Sequence, residues 1–249
     1  MSVARDRRTG GGIGATVFAV AGVAILIGLG VWQLDRKAWK ENLIATLDTR
    51  LARAPQPLPP RDSWWSLKQD GSEYTRVSFA AEFPAGQEAL VYTAGSSFRP
   101  DVQGPGYWVF APARLAGGGI VLVDRGFVPP DRKEPASRAQ GALPGSVEVV
   151  GVMRWPETRG MFTPADDPNN NLWFLRDTQA IAAAKKWDAP APFYIEQEAP
   201  VPPGGWPKPS RLVVGLPDNH LQYAITWFGL ALGLAGVYGV WLAGRLRRG

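Results

Sequence analysis

Two stretches without a charged residue, 9–34 and 221–244, bracket this chain and limit what it can fold into. A helix needs about 20 apolar residues to cross a bilayer, and both stretches exceed that. The first comes after Arg5, Arg7 and Arg8, a pattern with which signal peptides also begin. Its apolar run is longer than the roughly 7–15 residues of a signal's hydrophobic segment. The adjoining residues, "VWQLDRKAWKENL", continue a helix and offer no small-residue cleavage site. The stretch reads as an uncleaved anchor. The expected product is a membrane protein whose two transmembrane α-helices flank an extracytoplasmic domain.

Charge is unevenly placed along the chain, which has 27 Lys and Arg against 22 Asp and Glu. Setting aside Arg5, Asp6, Arg7 and Arg8 at one end and Arg245, Arg247 and Arg248 at the other leaves 21 of each sign. The centre is neutral and the net basicity lies in the tails. Nucleic-acid binding needs a basic face on the folded domain, so that partner is excluded. Basic tails suit contact with anionic membrane lipid, and two spans put both tails on one side. The positive-inside rule then places the tails in the cytoplasm and the centre outside, although Arg36, Lys37 and Lys40 lie close on the outer side. The absence of cysteine excludes disulfides, thiolate nucleophiles and Cys-ligated metals. A centre of about 180 residues can build a core without cross-links.

Between the tails (1–12 and 245–249) the pattern changes several times. A span over 13–34 passes into an amphipathic extension over 35–53, where Trp39, Leu43, Leu47 and Leu51 recur every four residues. "APQPLPP" ends it, since proline cannot continue a helix, and a short helical piece is expected over 62–67. From residue 73 the runs "YTRVSFAAEF", "EALVYT", "YWVFAPARL", "GIVLVDRGFV", "SVEVVGVMR", "LWFLRD" and "FYIEQ" are short, β-branched or aromatic, and punctuated by Gly, Pro, Asp and Asn. That is the signature of strands and turns. "TQAIAAAKKW" interrupts them as a helix. Residues 54–198 therefore read as a β-rich (α+β) domain, antiparallel and barrel-like or sandwich-like. A Pro-rich lead and return strand over 199–219 precedes the second span, 220–244.

Enzyme motifs are missing. "GGGIG" opens a membrane span and does not join a strand to a helix, so it is no phosphate loop. His220 is the only histidine and Asp166 and Asp167 sit in a turn-rich "TPADDPNNN". No enzyme activity is expected.

His220 stands at the mouth of the second span. At 100° per residue it shares a face with Tyr223, Trp227, Ala231, Leu234 and Tyr238, while Gly229, Gly233 and Gly236 lie nearly opposite. The Gly229-xxx-Gly233 spacing invites close helix packing, with Ala15, Ala19, Gly22, Ala24 and Gly28 of the first span as the small-residue counterpart. On this reading the His/aromatic face is left free. It is either an interfacial belt of amphipathic rings or a seat for a flat aromatic ligand or a partner's helix, imidazole being a common axial ligand of haem iron. In the first span Trp32, Arg36 and Trp39 share a side, with Gln33 and Lys40 adjoining. Arg36 and Lys40 either pair with carboxylates such as haem propionates or snorkel between belt tryptophans.

Three separated motifs resemble one family. "GVWQLDRKAWKENLI" is similar to the G-x-W-Q-L-x-R-x-x-W-K stretch of the surfeit-locus-one family, and "IVLVDRGFVPP" to its V-L-V-N-R-G-W-V-P. "PPGGWPKP" with "NHLQYAITWFGLALG" after it resembles its closing signature. The resemblance implies a cytochrome c oxidase assembly factor in a bacterial inner membrane or a mitochondrial one, with the globular part facing the periplasm or intermembrane space. It implies partnership with oxidase subunit I and other assembly factors around the insertion of haem a. Some bacterial relatives are thought to bind haem a, with the histidine of N-H-L-x-Y-A as ligand, which maps onto His220. Tyr223, Trp227, Trp32, Arg36 and Lys40 would then surround the macrocycle. Arg125 and Gly126 keep the family's R-G pair and become candidates for partner binding, with a strand end and turn glycine as the plainer account. Asp124 and Phe127 stand where the family has Asn and Trp, and Ala81 where it has Gly.

Overall fold

The computed structural model describes residues 10–96, 99–188, 190–213 and 219–247. Arg5, Asp6, Arg7, Arg8 and Arg248 of the tails, and residues 214–218 of the expected return strand, lie outside the described residues. The elements in chain order are α1 (Gly10–Ala52), β1 (Gln56–Pro57), α2 (Gln69–Ser72), β2 (Arg76–Glu82), β3 (Ala89–Thr93) and β4 (Gly106–Leu115). They continue with β5 (Ile120–Val128), β6 (Ser146–Arg154), β7 (Leu172–Trp173), α3 (Thr178–Lys185), β8 (Pro190–Ala199) and α4 (His220–Leu246). The chain divides into two compact units, one made of Met1–Ala45 with Pro217–Gly249 and the other of Thr46–Leu216.

The larger unit is built on a closed barrel. Strands run β2-β6-β8-β5-β4, and β4 returns to β2 through Ala81 opposite Leu115 and Glu82 opposite Arg114. The other half of β4 leaves the barrel and pairs β3, which in turn pairs β7. Most pairs are antiparallel, but β5 and β8 run parallel, because the chain crosses over through β6, β7 and α3 between them. Alternate residues of each strand face opposite sides. Val121, Val123, Phe193 and Ile195 fill one core with Val77, Phe79, Val149 and Met153. Ile120, Leu122 and Tyr194 face a second core with Trp108, Phe110, Trp173 and Ile181 of α3. A strand covered on both faces reads as a continuous apolar run rather than an alternation, and every residue of β5 is buried.

The Arg125-Gly126 pair lies inside β5, not at a strand end. Trp108 pairs Phe127 and Phe110 pairs Asp124, so Val109 alone faces two residues, Arg125 and Gly126. This is a β-bulge. Gly126 takes φ +119°, and a Cβ there would stand 2.2 Å from the Lys208 carbonyl oxygen. Only glycine allows that approach. Phe127 and Lys208 exchange backbone hydrogen bonds of 3.1 and 2.8 Å, so the Pro-rich lead is stitched to the barrel. "LWFLRD" forms a strand only over its first two residues, since Phe174 N–H donates to the Asp166 carboxylate and Arg176 N–H to Glu157. The helical piece near residue 62 is a 3₁₀ helix, Arg61–Ser66.

The predicted span and extension form one continuous helix, α1, and in the smaller unit α4 lies beside its 10–45 part. Ile13, Val17, Phe18, Ile25, Leu232 and Val240 are exposed on them, a density of bare apolar side chains that lipid tolerates and water does not. Both helices are long and apolar enough to cross a membrane. They run antiparallel, since Thr16 meets Tyr238 and Gln33 meets His220.

The glycine face of α4 is not the seam. Gly229, Gly233 and Gly236 are exposed with nothing within 4 Å of where a Cβ would stand. Close approach comes from α1 glycines instead: Gly22 lies against Leu234 and Gly30 against the Phe228 ring. The expected packing is thereby reversed, for a physical reason. The His220/Tyr238 face carries polar groups, and an unpaired polar group in hydrocarbon costs several kcal/mol. His220 Nδ1 lies 2.7 Å from Gln33 Oε1 and Thr16 Oγ1 lies 2.6 Å from the Tyr238 hydroxyl. On the glycine face the Thr226 hydroxyl is satisfied within α4 by the Gln222 carbonyl at 2.9 Å, so it needs no partner across the seam.

The chain has no native thiol, so cysteine pairs report this packing without background. Thr16→Cys with Tyr238→Cys should cross-link under mild oxidation, and Gly22→Cys with Gly233→Cys should not. The opposite pattern would restore the glycine seam.

Candidate functional site

The first candidate site is the end of the helix pair where Gln33 meets His220. Gln33 is only 9% exposed and its side-chain oxygen faces His220 Nδ1. The hydrogen bond fixes the orientation of the ring against α1. A histidine that ligates a metal has its other ring nitrogen oriented by a hydrogen bond of this kind. With Gln33 facing His220 in an antiparallel pair, 100° per residue places Trp32, Arg36 and Tyr223 on the same flank of the seam. Trp32 and Tyr223 are 56% and 55% exposed, so this flank is open. Trp227 and Lys40 lie closer to the seam itself and are half-buried. The Arg36 guanidinium sits 3.9 Å over the Trp39 ring. His220 is turned toward α1 and not away from it, with Trp32, Arg36 and Tyr223 within a turn of it, while Lys40 and Trp227 lie two turns away in opposite directions. The donor set fits one axial imidazole; no group of three or more His, Cys, Asp or Glu residues that could hold a metal ion exists among the described residues.

A second site escapes motif reading. In the parallel β5–β8 register Asp124 lies beside Glu196, two carboxylates side by side on the outer face of the barrel. Arg154, at the end of β6, pairs in register with Tyr194 and hydrogen-bonds Glu196 at 3.1 Å and Glu73 at 3.3 Å. Arg176, just before α3, reaches Asp124 at 4.0 Å and Glu157 at 3.6 Å. Trp108 lies between two guanidinium groups, Arg176 at 4.9 Å and Arg99 at 5.4 Å. Asp124 has no exposed surface; its Oδ1 accepts the Gly126 N–H, and Oδ2 and the Tyr194 hydroxyl have no hydrogen-bond partner among the described residues. Burial pushes the Asp124 carboxyl up to about 7, and the nearby Glu196 adds to this against the pull of Arg176. At 4.0 Å and without a hydrogen bond, Arg176 does not offset the loss of water. A protonated Asp124 offers the same oxygen and a neutral second arm, as the family's Asn would at this position. The sequence held one signal for this cluster: charged residues inside otherwise buried strands are rare unless paired.

Arg125 and Gly126 are both held inside the barrel unit. Arg125 is buried, donates to the Gly141 carbonyl at 2.7 Å and lies over the Phe83 ring at 5.0 Å. Burial lowers its pKa to about 10. Gly126 lies beneath the 208–209 backbone. Both hold the barrel to its neighbouring loops.

The fold and these sites define a membrane protein in which two helices carry a barrel domain. The model of the SURF1 family matches residues 20–232. A SURF1-like protein of Monosiga brevicollis is 34% identical over 237 residues, covering 92% of this chain and 87% of the other. Surfeit locus protein 1 of Rattus norvegicus is 33% identical, covering 83% of this chain and 69% of its own length. The Homo sapiens protein of that name is also 33% identical, covering 82% and 69%. The chain belongs to the SURF1 family, which is known for cytochrome oxidase assembly.

The buried Asp124 makes stability depend on pH with a definite sign. Its folded pKa is raised above the unfolded value of about 3.9. Its stabilising contribution is therefore complete below about pH 4 and lost as pH rises through about 7. Asp124→Asn keeps the Gly126 hydrogen bond and removes the proton. In urea denaturation of the detergent-solubilised protein, the variant should gain on wild type between about pH 4 and 7. A shift of this size sets the ceiling at about 4 kcal/mol. A difference independent of pH would show that Asp124 titrates as an ordinary carboxyl.

Proposed function

We propose that this protein assists assembly of an aa3-type cytochrome c oxidase by helping haem a reach subunit I, and that it holds haem a transiently as cargo. The observation that carries this reading is the Gln33–His220 hydrogen bond, which orients the imidazole beside an open aromatic flank. Tyr223, Trp227 and Trp32 would contact the macrocycle, and Arg36 and Lys40 would meet the propionates. One axial bond suits a carrier that must release what it holds. Such a protein acts as a chaperone without catalytic turnover, alongside subunit I and other assembly factors. It would sit in a bacterial inner membrane with both termini cytoplasmic and the barrel in the periplasm.

A second reading is that the protein clasps an immature oxidase subunit and binds no haem. It is favoured by Met161 and Phe162, which are 92% and 93% exposed at a loop tip. That loop is closed by the Gly160–Thr163 hydrogen bonds and by Arg159 paired with Asp166.

Protein purified in detergent from cells that make haem a should show a haem band in its visible spectrum, and His220→Ala should lose most of it. No band in wild type leaves the clasp reading; equal bands remove His220 as ligand. Reporter fusions at Gly249 and within 131–140 should read opposite compartments, and agreement would refute the two-span orientation.

A further inference from the structure

A cavity of about 320 Å³ opens on the outer face of the barrel above the Asp124–Glu196 pair. Tyr92, Trp108 and Phe174 line it, with Arg154, Arg176 and Glu157 as its charged groups. The Tyr92 and Phe174 rings are 5.9 Å apart and form one aromatic wall.

The two arginines differ in how they are satisfied. Arg154 makes hydrogen bonds to Glu196 and Glu73 and lies over the Tyr74 ring. Arg176 is as deeply placed, but its side chain has only ion pairs of 3.6 and 4.0 Å and makes no hydrogen bond among the described residues. The Arg176 guanidinium is still 12% exposed, lines the cavity, and meets its two carboxylates only at ion-pair distance, so its donors are available to a ligand there. Its planar fork matches a carboxylate edge on.

A carboxylate already lies at that place. Glu157 accepts the Arg176 backbone N–H at 3.2 Å and sets its other oxygen 3.6 Å from Nη1. Its side chain is 45% exposed, so it sits at the mouth of the cavity and can swing into water. Charge narrows the ligand further. Arg154 and Arg176 face Glu73, Glu196, Glu157 and Asp124. A dianion such as phosphate would meet too much negative charge, whereas a monoanion replacing Glu157 leaves the balance unchanged.

We propose that this cavity binds a carboxylate carrying a flat apolar body, with Arg176 gripping the carboxylate, the Tyr92–Phe174 wall taking the body, and Glu157 as the internal occupant it displaces. The carboxylate could belong to a free acid or to the C-terminus of a peptide ending in an aromatic residue. This site is separate from the His220 end of the helix pair and does not depend on haem.

Titration calorimetry on the full detergent-solubilised chain tests it, with benzoate as probe and benzamide as its uncharged counterpart. Benzoate should bind at one site and benzamide should not. Glu157→Gln should tighten benzoate about tenfold by removing the internal competitor. Arg176→Lys, which loses the fork, should weaken it by a similar factor. The Glu157 variant alters a half-exposed side chain, so the test stands even where changes at Arg176 impair folding. Absence of benzoate binding in both wild type and Glu157→Gln overturns the proposal, as does benzamide binding equally well. Acetylated peptides ending in phenylalanine, as acid and as amide, separate the sources: an acid binding far more tightly than benzoate, with a silent amide, identifies a chain terminus. Equal affinities of acid and benzoate identify a free carboxylate.

Discussion

The two-way backbone pairing of Phe127 with Lys208 is the contact on which the domain's organisation depends. It joins the middle of a barrel strand to the Pro-rich segment after the last strand, so two parts of the chain 81 residues apart share one surface. The pairing requires the 208–209 backbone to lie directly on β5, which is why residue 126 has no side chain and why β5 carries a bulge there. The bulge in turn aims Arg125 toward the Gly141 carbonyl and leaves Asp124 with its carboxylate folded back on the Gly126 N–H. Two of the family's motifs are thus one structural feature seen twice in the sequence.

From that bulge outward the barrel face becomes electrostatic. Parallel pairing of β5 with β8 forces Asp124 and Glu196 side by side, an arrangement that costs energy unless one carboxyl is neutral or cations lie close. The molecule uses both remedies. Arg154 takes Glu196 in a hydrogen bond, and Asp124, whose ion pair to Arg176 is 4.0 Å long, keeps its proton up to about pH 7. The helix pair solves a related problem with different means, because hydrocarbon offers no water and no counterion. There, Gln33 with His220 and Thr16 with Tyr238 pair off across the seam, and the bulky Leu234 and Phe228 fit against glycines of α1.

Much of this is legible in the residues. The spans, the strand runs and the short helix before β8 arise from uncharged length, β-branched content and period, which are local properties. The seam is not, because a helical wheel shows which residues share a face but not which face meets a neighbour; polar pairing across the helices outweighs the small-residue spacing of Gly229 and Gly233. The Asp124–Glu196–Arg154–Arg176 cluster is hidden for another reason. Its members come from β5, β8, β6 and the segment before α3, and nothing in their spacing along the chain announces that a parallel register will bring them together.

The sequence by itself determined that this is a chain of two membrane helices around a β-rich domain, because uncharged length and strand period act locally and need no partner to be read. It also determined that any imidazole chemistry in this chain belongs to His220, since no other histidine exists in it. Only the tertiary structure decided that His220 faces Gln33, that Gly126 is a point of backbone contact, and that Arg154, Glu157 and Arg176 line an aromatic cavity. Each of those depends on strand register or helix rotation, quantities fixed by burial and by the pairing of polar groups across the whole fold.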